Sequence, residues 1–144
     1  MHAWVLLHYK LPHEPSAPRV YAWRTLKRLG ALLVQDAVWV LPATAHTREN
    51  FQWLAVEIGE RGGEAMMWEA HLALAGQEEA LAAQFVAQVD ALYAELQADL
   101  EREGADLAAL SRRYQQIQAQ DYFHAELGQR VRAALLAAGG GCEA

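Results

Sequence analysis

The chain has 144 residues, of which 53% are hydrophobic and 21% charged, with one cysteine and a formal net charge of −6. This hydrophobic fraction is enough to build a buried core and excludes a disordered chain. No apolar run reaches the roughly 18 residues that a membrane span requires, and a single cysteine cannot form an internal disulfide. We therefore expect a globular, cytoplasmic protein without a membrane segment.

The acidic charge is concentrated in the second half of the chain. Residues 1–75 contain seven basic and seven acidic side chains, whereas residues 76–144 contain five basic and eleven acidic ones. All five tryptophans lie in the first part. This contrast predicts a Trp-rich domain over 1–75, a helical segment over 76–138 and a flexible tail over 139–144.

Strand and helix patterns alternate along the first 75 residues. An apolar run predicts a strand at 4–9, and Ser16 is placed as the N-cap of a helix over 18–29 that ends at Gly30. The elements that follow are strands at 31–34 and 38–41 joined by a hairpin turn, a helix capped by Thr44 or Thr47 and ended by Gly59, Gly62 and Gly63, and a strand at 65–72. This βαββαβ order predicts a ferredoxin-like α+β fold. Right-handed crossovers are expected to place the first and third strands centrally and parallel to each other.

Apolar residues at helical spacing predict which helix faces are buried. The expected core positions of the two helices are Val20, Trp23, Leu26 and Leu29, then Phe51, Leu54, Val56 and Ile58. The five tryptophans are expected in the core as well, since each falls on a strand or an apolar stripe. The strands are apolar on both sides, which predicts that a partner subunit or the acidic segment covers the second sheet face.

The segment from Gln77 onward is predicted to be helical. One long amphipathic helix is indicated by a stripe at spacings of three and four residues, which consists of Leu81, Phe85, Val89, Leu92, Leu96 and Leu100. Gly104 is expected to end this helix. A second helix follows with Leu107, Leu110, Tyr114 and Ile117, and a third with Tyr122, Phe123, Leu127, Val131 and Leu135. These helices are expected to pack on the uncovered sheet face, on each other, or across a dimer axis.

Candidate anion-binding residues cluster around the first helix. They are Lys10, Arg19, Arg24, Lys27 and Arg28. Arg24 and Arg28 are four residues apart and therefore share a helix face. Guanidinium groups at this spacing can hold a tetrahedral oxyanion or a nucleic-acid phosphate, although a solvated face paired with acids such as Glu14 has the same pattern. Arg112 and Arg113 form a second basic pair, inside the acidic segment.

No residue pattern predicts a catalytic site, a metal site or a cofactor site. The histidines and the cysteine show no His-x-x-x-His or Cys-x-x-Cys spacing, and only antiparallel pairing of the first and fourth strands would bring His2 near His71. Cys142 lies in a glycine-rich tail, where a thiol cannot be held in an ordered site. We therefore expect a protein that is not an enzyme.

Spaced aromatic residues and prolines give the chain a family resemblance. The positions that carry it are Trp4–Leu7, Tyr9–Pro12, Pro15–Ser16, Arg19–Arg24, Leu26–Lys27, Gly30–Ala31, Gln35–Pro42, Phe51, Trp53–Leu54, Glu57–Ile58, Gly62–Ala65, Asp106–Leu107, Leu110–Ser111, Arg113–Tyr114 and Asp121–Phe123. With these residues the chain resembles the N-terminal region of the ChrB chromate-resistance proteins over nearly its whole length. Members of that family are described as chromate-responsive regulators, and full-length members have a second, C-terminal domain.

The resemblance implies a chromate-resistance regulatory or sensor protein. We expect the basic helix face to bind an oxyanion such as chromate, operator DNA, or both. The alternative is a structural or interaction domain that forms a homodimer and binds neither ligand nor DNA directly.

Overall fold

The computed structural model describes residues 2–139 and confirms an α+β fold with a helical C-terminal part. Its elements are β1 (Trp4–Lys10), α1 (Ala17–Leu29), β2 (Leu32–Val34), β3 (Val38–Pro42), α2 (Ala45–Glu60), β4 (Glu64–Ala70), α3 (Gln77–Leu100), α4 (Leu107–Gln118) and α5 (Glu126–Ala138). The chain divides near residue 79 into two compact units, which we call the sheet unit and the helical unit. Residues 140–144 of the expected flexible tail, with Cys142, lie outside the described residues.

The four strands form one antiparallel sheet in the order β2-β3-β1-β4, which is the ferredoxin-like order. The prediction that β1 and β3 are central is confirmed, but the prediction that they are parallel is wrong. The α1 crossover returns the chain so that β2 is parallel to β1. Because β3 forms a hairpin with β2 and then inserts beside β1, it runs opposite to both neighbours.

The hairpin between β2 and β3 is a tight turn: Val34 pairs with Val38, so three residues, Gln35 to Ala37, lie between the paired positions. Gln35 and Asp36 both have positive φ, at 52° and 58°, and the Ala37 N–H donates to the Val34 carbonyl over 3.1 Å. Two consecutive left-handed residues define a type I′ turn, whose twist matches that of the strands. The hairpin predicted at this place is confirmed, although the turn contains no glycine.

One face of the sheet packs against α2 and contributes the core of the sheet unit. Val5, Leu7 and Leu41 are completely buried on this face. Arg48 of α2 donates two hydrogen bonds, of 2.6 and 3.1 Å, to Glu69 of β4. Glu69 is the cross-strand partner of Val5, so this ion pair joins α2 to the same face. The buried side chains of α2 are Thr47, Phe51, Leu54 and Ile58.

The opposite face of the sheet keeps an exposed apolar part. Met66 and Trp68 of β4 are 52% and 51% exposed, whereas Trp4 and Val40 on this face are buried. The Trp68 indole Nε1–H donates to His8 Nε2 over 2.7 Å, and the two rings stack with centroids 6.1 Å apart. The prediction that a partner subunit or the acidic segment covers this face stays a prediction.

The tryptophans do not all belong to the core. Trp4 and Trp39 are buried, but Trp23, Trp53 and Trp68 are each more than half exposed. The prediction that all five are core residues is therefore wrong for three of them. Hydrophobicity at helical or strand spacing does not by itself say which side of an element faces the sheet.

The buried arc of α1 differs from the predicted stripe. Its buried residues are Ala22, Thr25 and Leu26, while Val20 and Trp23 lie on the opposite side and are exposed. The first two of these positions carry small side chains, and the larger apolar residues face outward. In the same way Val56 of α2 is 52% exposed, contrary to the prediction.

The helical unit has its own core. Its buried residues are Val89, Tyr93, Leu96, Leu110, Ile117, Ala125 and Val131. Tyr93 takes the central place that the predicted stripe assigned to Leu92, which is only partly buried. Tyr122 and Phe123 precede α5 and do not form its first turn as expected. The side chain of Asp106 caps α4 by accepting the Ala109 N–H over 3.2 Å.

We expect Gly63→Ala to destabilise the sheet unit. A Cβ at this position would lie 2.5 Å from the Lys10 carbonyl oxygen and 2.9 Å from the Ile58 side chain, so backbone would have to move. The free energy of unfolding should fall by about 1–3 kcal/mol, as for other overpacked sites. Urea denaturation measures this change.

Gly59→Ala is the matched control for that substitution. A Cβ at Gly59 meets no atom within 4 Å, and the residue lies inside α2. Alanine there should raise the free energy of unfolding by up to about 1 kcal/mol, because it is the better helix former. Equal effects of the two substitutions would contradict the close approach at Gly63.

Candidate functional site

Basic and apolar side chains alternate on the exposed side of α1. This side consists of two neighbouring rows of side chains, each with a spacing of four residues. The first row is Arg19, Trp23 and Lys27, and the second is Val20, Arg24 and Arg28. We call these six residues the basic–aromatic face. All six are exposed, because the small buried arc of α1 lies on the other side of the helix. Side chains four residues apart on a helix are neighbours, so each row is a continuous strip.

The cations of the basic–aromatic face have no acidic partner within residues 2–139. The ion pairs of the described residues involve Arg48, Arg102 and Arg113 instead. Arg19 donates a hydrogen bond of 3.0 Å to the carbonyl of His13. The Lys27 ammonium lies 5.8 Å from the centroid of the Trp23 ring, which is cation–π distance. The face therefore carries positive charge that internal carboxylates do not compensate.

A groove runs along one side of this face. Its volume is about 570 Å³, and it is lined by Tyr9, Ser16, Arg19, Val20, Trp23 and Arg24. Burial raises the pKa of the Tyr9 hydroxyl, against the smaller lowering effect of a hydrogen bond with Trp39. The groove thus combines two aromatic rings with two guanidinium groups, and its size falls within the range of small-ligand sites.

Contacts between α1 and α2 hold the basic–aromatic face in position. The Tyr21 hydroxyl donates a 2.6 Å hydrogen bond to Glu57 of α2, and the Arg61 guanidinium lies 4.1 Å from the centroid of the Tyr21 ring. The hydrogen bond to Glu57 is the main cause of a raised pKa at Tyr21. Since Tyr21 borders the buried arc of α1, this contact fixes the rotation of the helix about its axis.

Lys10 lies at a different place from the α1 cations. It is the last residue of β1, is exposed, and pairs in register with Glu64 of β4. It lines a separate cavity that also contains His13 and Gly63 but none of the residues of α1. The described geometry therefore does not bring Lys10 into the groove.

Arg112 and Arg113 belong to α4 of the helical unit. Arg113 donates to Asp99 over 2.7 Å, and this hydrogen bond holds the pKa of the Asp99 carboxyl below its usual range. Arg112 is exposed. The charge of Arg113 is thus already compensated, while that of Arg112 faces solvent.

A polar cavity in the helical unit is centred on a buried carboxylate. Asp121 accepts the Tyr93 hydroxyl over 2.9 Å and the Ala125 N–H over 3.0 Å. Burial and the hydrogen bond to Asp121 both raise the pKa of Tyr93. His124 and Arg132 also line this cavity. The carboxylate is occupied by contacts that shape the turn before α5, and the sequence analysis named Asp121 only for the family resemblance and not as a site residue.

Neither a membrane span nor a metal cluster is found in residues 2–139. Their helices are too short or too polar to cross a bilayer. In the same range, no group of three or more His, Cys, Asp or Glu side chains is placed to hold a metal ion. β1 and β4 do pair antiparallel, as the His2–His71 hypothesis required.

Sequence reasoning found the cations of the site but missed its aromatic part. It placed Val20 and Trp23 in the core, whereas both are exposed among the arginines. The signal that could have found them is the position of Trp23, which has Arg19 and Lys27 four residues before and after it. A core residue of an amphipathic helix rarely has basic neighbours at both of these positions.

The fold and the site define a class of small α+β domain with a ferredoxin-like sheet and an exposed basic helix. A family model described as "Protein ChrB, N-terminal" matches residues 19–99, which is more than half of the chain. The chain therefore belongs to the ChrB family, and the resemblance drawn from its residues is confirmed.

A curated relative supports the same assignment. Protein ChrB of Cupriavidus metallidurans strain CH34 is 34% identical over 76 residues, which is 53% of this chain and 24% of that protein. The matched region thus spans about a quarter of the relative's length. No solved structure matches the chain.

Proposed function

We propose that this chain is a non-enzymatic regulatory module of chromate resistance that contacts operator DNA through the basic–aromatic face. The observation that carries this proposal is the set of four α1 cations, Arg19, Arg24, Lys27 and Arg28, without acidic partners among the described residues. DNA phosphates supply such partners, and the release of counterions from DNA drives the association.

The spacing of the cations suits an extended polyanion. Arg24 and Arg28 are one helical turn apart, or about 6 Å along the axis, and Arg19 and Lys27 are about 12 Å apart. Their side chains are exposed and spread over the outer side of the helix. Arginine can hold a phosphate through two parallel hydrogen bonds, so several phosphates of one strand can be engaged together.

Lys10, Arg112 and Arg113 are proposed as supporting contacts. Lys10 and Arg112 are exposed and have free ammonium and guanidinium charge for a phosphate. Arg113 would have to exchange its carboxylate partner Asp99 for a phosphate. We therefore expect Arg113 to contribute less than Arg112.

Binding of a chromate-like oxyanion is the second part of this proposal. Chromate is a dianion with acceptor oxygens only, so its site needs converging donors and positive potential. Arg19 and Arg24 both line the groove beside α1, which supports this use of the same face.

The alternative function is that of a homodimerising interaction domain. The exposed Met66 and Trp68 on the second sheet face favour it, because large apolar side chains grouped on one surface are typical of interfaces. In that case the sheet would meet its copy in a second molecule.

The DNA proposal is tested with the double variant Arg24→Ala/Arg28→Ala. Loss of two phosphate contacts should weaken binding to duplex DNA from upstream of the chain's own gene by about 10- to 60-fold near 0.1 M salt. The slope of log K against log salt should become shallower by about 2. Fluorescence anisotropy over a salt series measures both.

Arg130→Ala/Arg132→Ala is the matched control. It also removes two positive charges, but from α5 instead of α1. Both residues are exposed. Its affinity and salt slope should stay close to those of the parent chain. Equal losses of DNA affinity in the two double variants would show that binding depends on the net charge of the chain and not on the basic–aromatic face.

Titration calorimetry with chromate tests oxyanion binding. We expect a binding heat that persists in excess sulfate and disappears in Arg19→Ala/Arg24→Ala, because both guanidinium groups border the groove. Absence of heat, or complete displacement by sulfate, would contradict a chromate site at this face.

Light scattering tests the homodimer. The parent chain at micromolar concentration should have twice the monomer mass, and Met66→Glu/Trp68→Glu should be monomeric, because two carboxylates would be buried in the interface. Trp53→Glu, on the exposed side of α2, is the control and should leave the mass unchanged. A monomeric parent chain would rule out this function.

A further inference from the structure

Trp23 is exposed in the middle of a set of cations. Its side chain is 52% exposed, although indole is among the largest apolar groups that a core can bury. Arg19 and Lys27 lie one turn before and one turn after it on the same row of α1. Nothing about phosphate binding requires an aromatic ring at this position, because the arginines alone can supply that contact.

The groove beside Trp23 extends the aromatic surface. Tyr9 and Val20 line it together with the indole, and Arg19 and Arg24 stand in the same lining. A ligand with a flat apolar group can therefore place that group in the groove, between aromatic and aliphatic side chains. A negatively charged group attached to it would then lie beside a guanidinium. A nucleotide has this construction, with a planar base joined through a sugar to a phosphate.

Trp53 of α2 provides an internal contrast. It is 63% exposed, more than Trp23. Its neighbours at four-residue spacing are Glu49 and Glu57, so its surroundings are acidic. The helices of the sheet unit thus contain two exposed tryptophans, Trp23 and Trp53. Of these two, only Trp23 has basic neighbours. A negatively charged aromatic ligand suits only the Trp23 surface.

We infer that the basic–aromatic face binds a nucleic-acid strand with unpaired bases, one of which stacks on Trp23 in the groove while Arg19, Arg24 and Arg28 hold the phosphates. This inference rests on the proposed function for the phosphate contacts and adds the state of the bound nucleic acid. Every base has a π-face, so stacking is tolerant of sequence. In an intact duplex the bases are stacked on each other and cannot reach the ring.

Single-stranded DNA, RNA and locally opened duplex share this chemistry. The common element is an unpaired base beside backbone phosphate. Stacking of one base on an aromatic side chain is expected to strengthen binding by about 5- to 100-fold over the phosphate contacts alone.

The test compares oligothymidine with an abasic oligonucleotide of the same length, which has the same phosphates but no bases. The full chain should bind oligothymidine about 5- to 100-fold more tightly by fluorescence anisotropy. Trp23→Leu should bring the ratio of the two affinities, oligothymidine over the abasic strand, close to one. Trp23→Phe should retain part of the preference, because it keeps an aromatic ring.

Trp53→Leu is the matched control. It removes an equally exposed tryptophan from an acidic surface, so both affinities should stay as in the parent chain. Quenching of tryptophan emission by oligothymidine should disappear in Trp23→Leu and persist in Trp53→Leu. Circular dichroism and the urea midpoint of each variant should match the parent, since both side chains are on the surface.

Three outcomes of these comparisons would decide against the inference, and the duplex arm below adds a fourth. Equal binding of oligothymidine and the abasic strand would overturn base stacking while leaving phosphate binding, and with it the proposed function, intact. A preference that survives Trp23→Leu would place the bases elsewhere. Failure to bind any of these strands or duplex DNA would overturn both proposals.

An oligouridine arm identifies the natural strand. Tighter binding of oligouridine would support the inference with RNA as the ligand, and tighter binding of oligothymidine would support it with DNA. A blunt duplex of the same length should bind less tightly than the preferred single strand, because its bases are not available to the indole. A duplex that binds better than single strands would contradict the inference.

Discussion

The candidate site depends on the narrow arc through which α1 is buried. Ala22, Thr25 and Leu26 are the buried residues of this helix, and the first two are small. A narrow buried arc leaves most of the circumference of the helix to solvent. The hydrogen bond from Tyr21 to Glu57 then sets the rotation of α1. Larger residues in the buried arc would tilt the helix and separate the two rows of the basic–aromatic face.

Much of the fold could be predicted because its signals are local. Gly30 ends α1 with a φ of 79°, as a left-handed C-cap requires, and Thr44 caps α2 by accepting the Thr47 N–H. The direction of β3 is not local, since it depends on where the crossover before β2 returns the chain. The hairpin predicted between β2 and β3 reverses the chain, so β3 has to run opposite to β1, and the predicted parallel direction neglected this reversal.

The site was predictable in its charges and not in its aromatic residues. Arginine and lysine stay at the surface wherever the helix turns, so Arg24 and Arg28 could be assigned without a structure. Trp23 could not, because hydrophobic periodicity gives most weight to large side chains. The sequence of α1 contains two stripes that could be buried, one with Val20 and Trp23 and one with Ala22 and Thr25. The second stripe is the less hydrophobic of the two. The structure buries the stripe that has the smaller side chains, which hydrophobic periodicity does not predict.

The net charge of −6 does not exclude a polyanionic partner. At physiological ionic strength charges separated by more than about 8 Å are largely screened from each other. An approaching phosphate therefore responds to the nearest side chains, which on α1 are Arg19, Arg24, Lys27 and Arg28. The excess of acids over residues 76–144 adds a general repulsion of polyanions. That repulsion opposes loose coating of the whole surface by nucleic acid and favours binding at α1, where the cations have no acidic partner among the described residues and an aromatic ring is exposed.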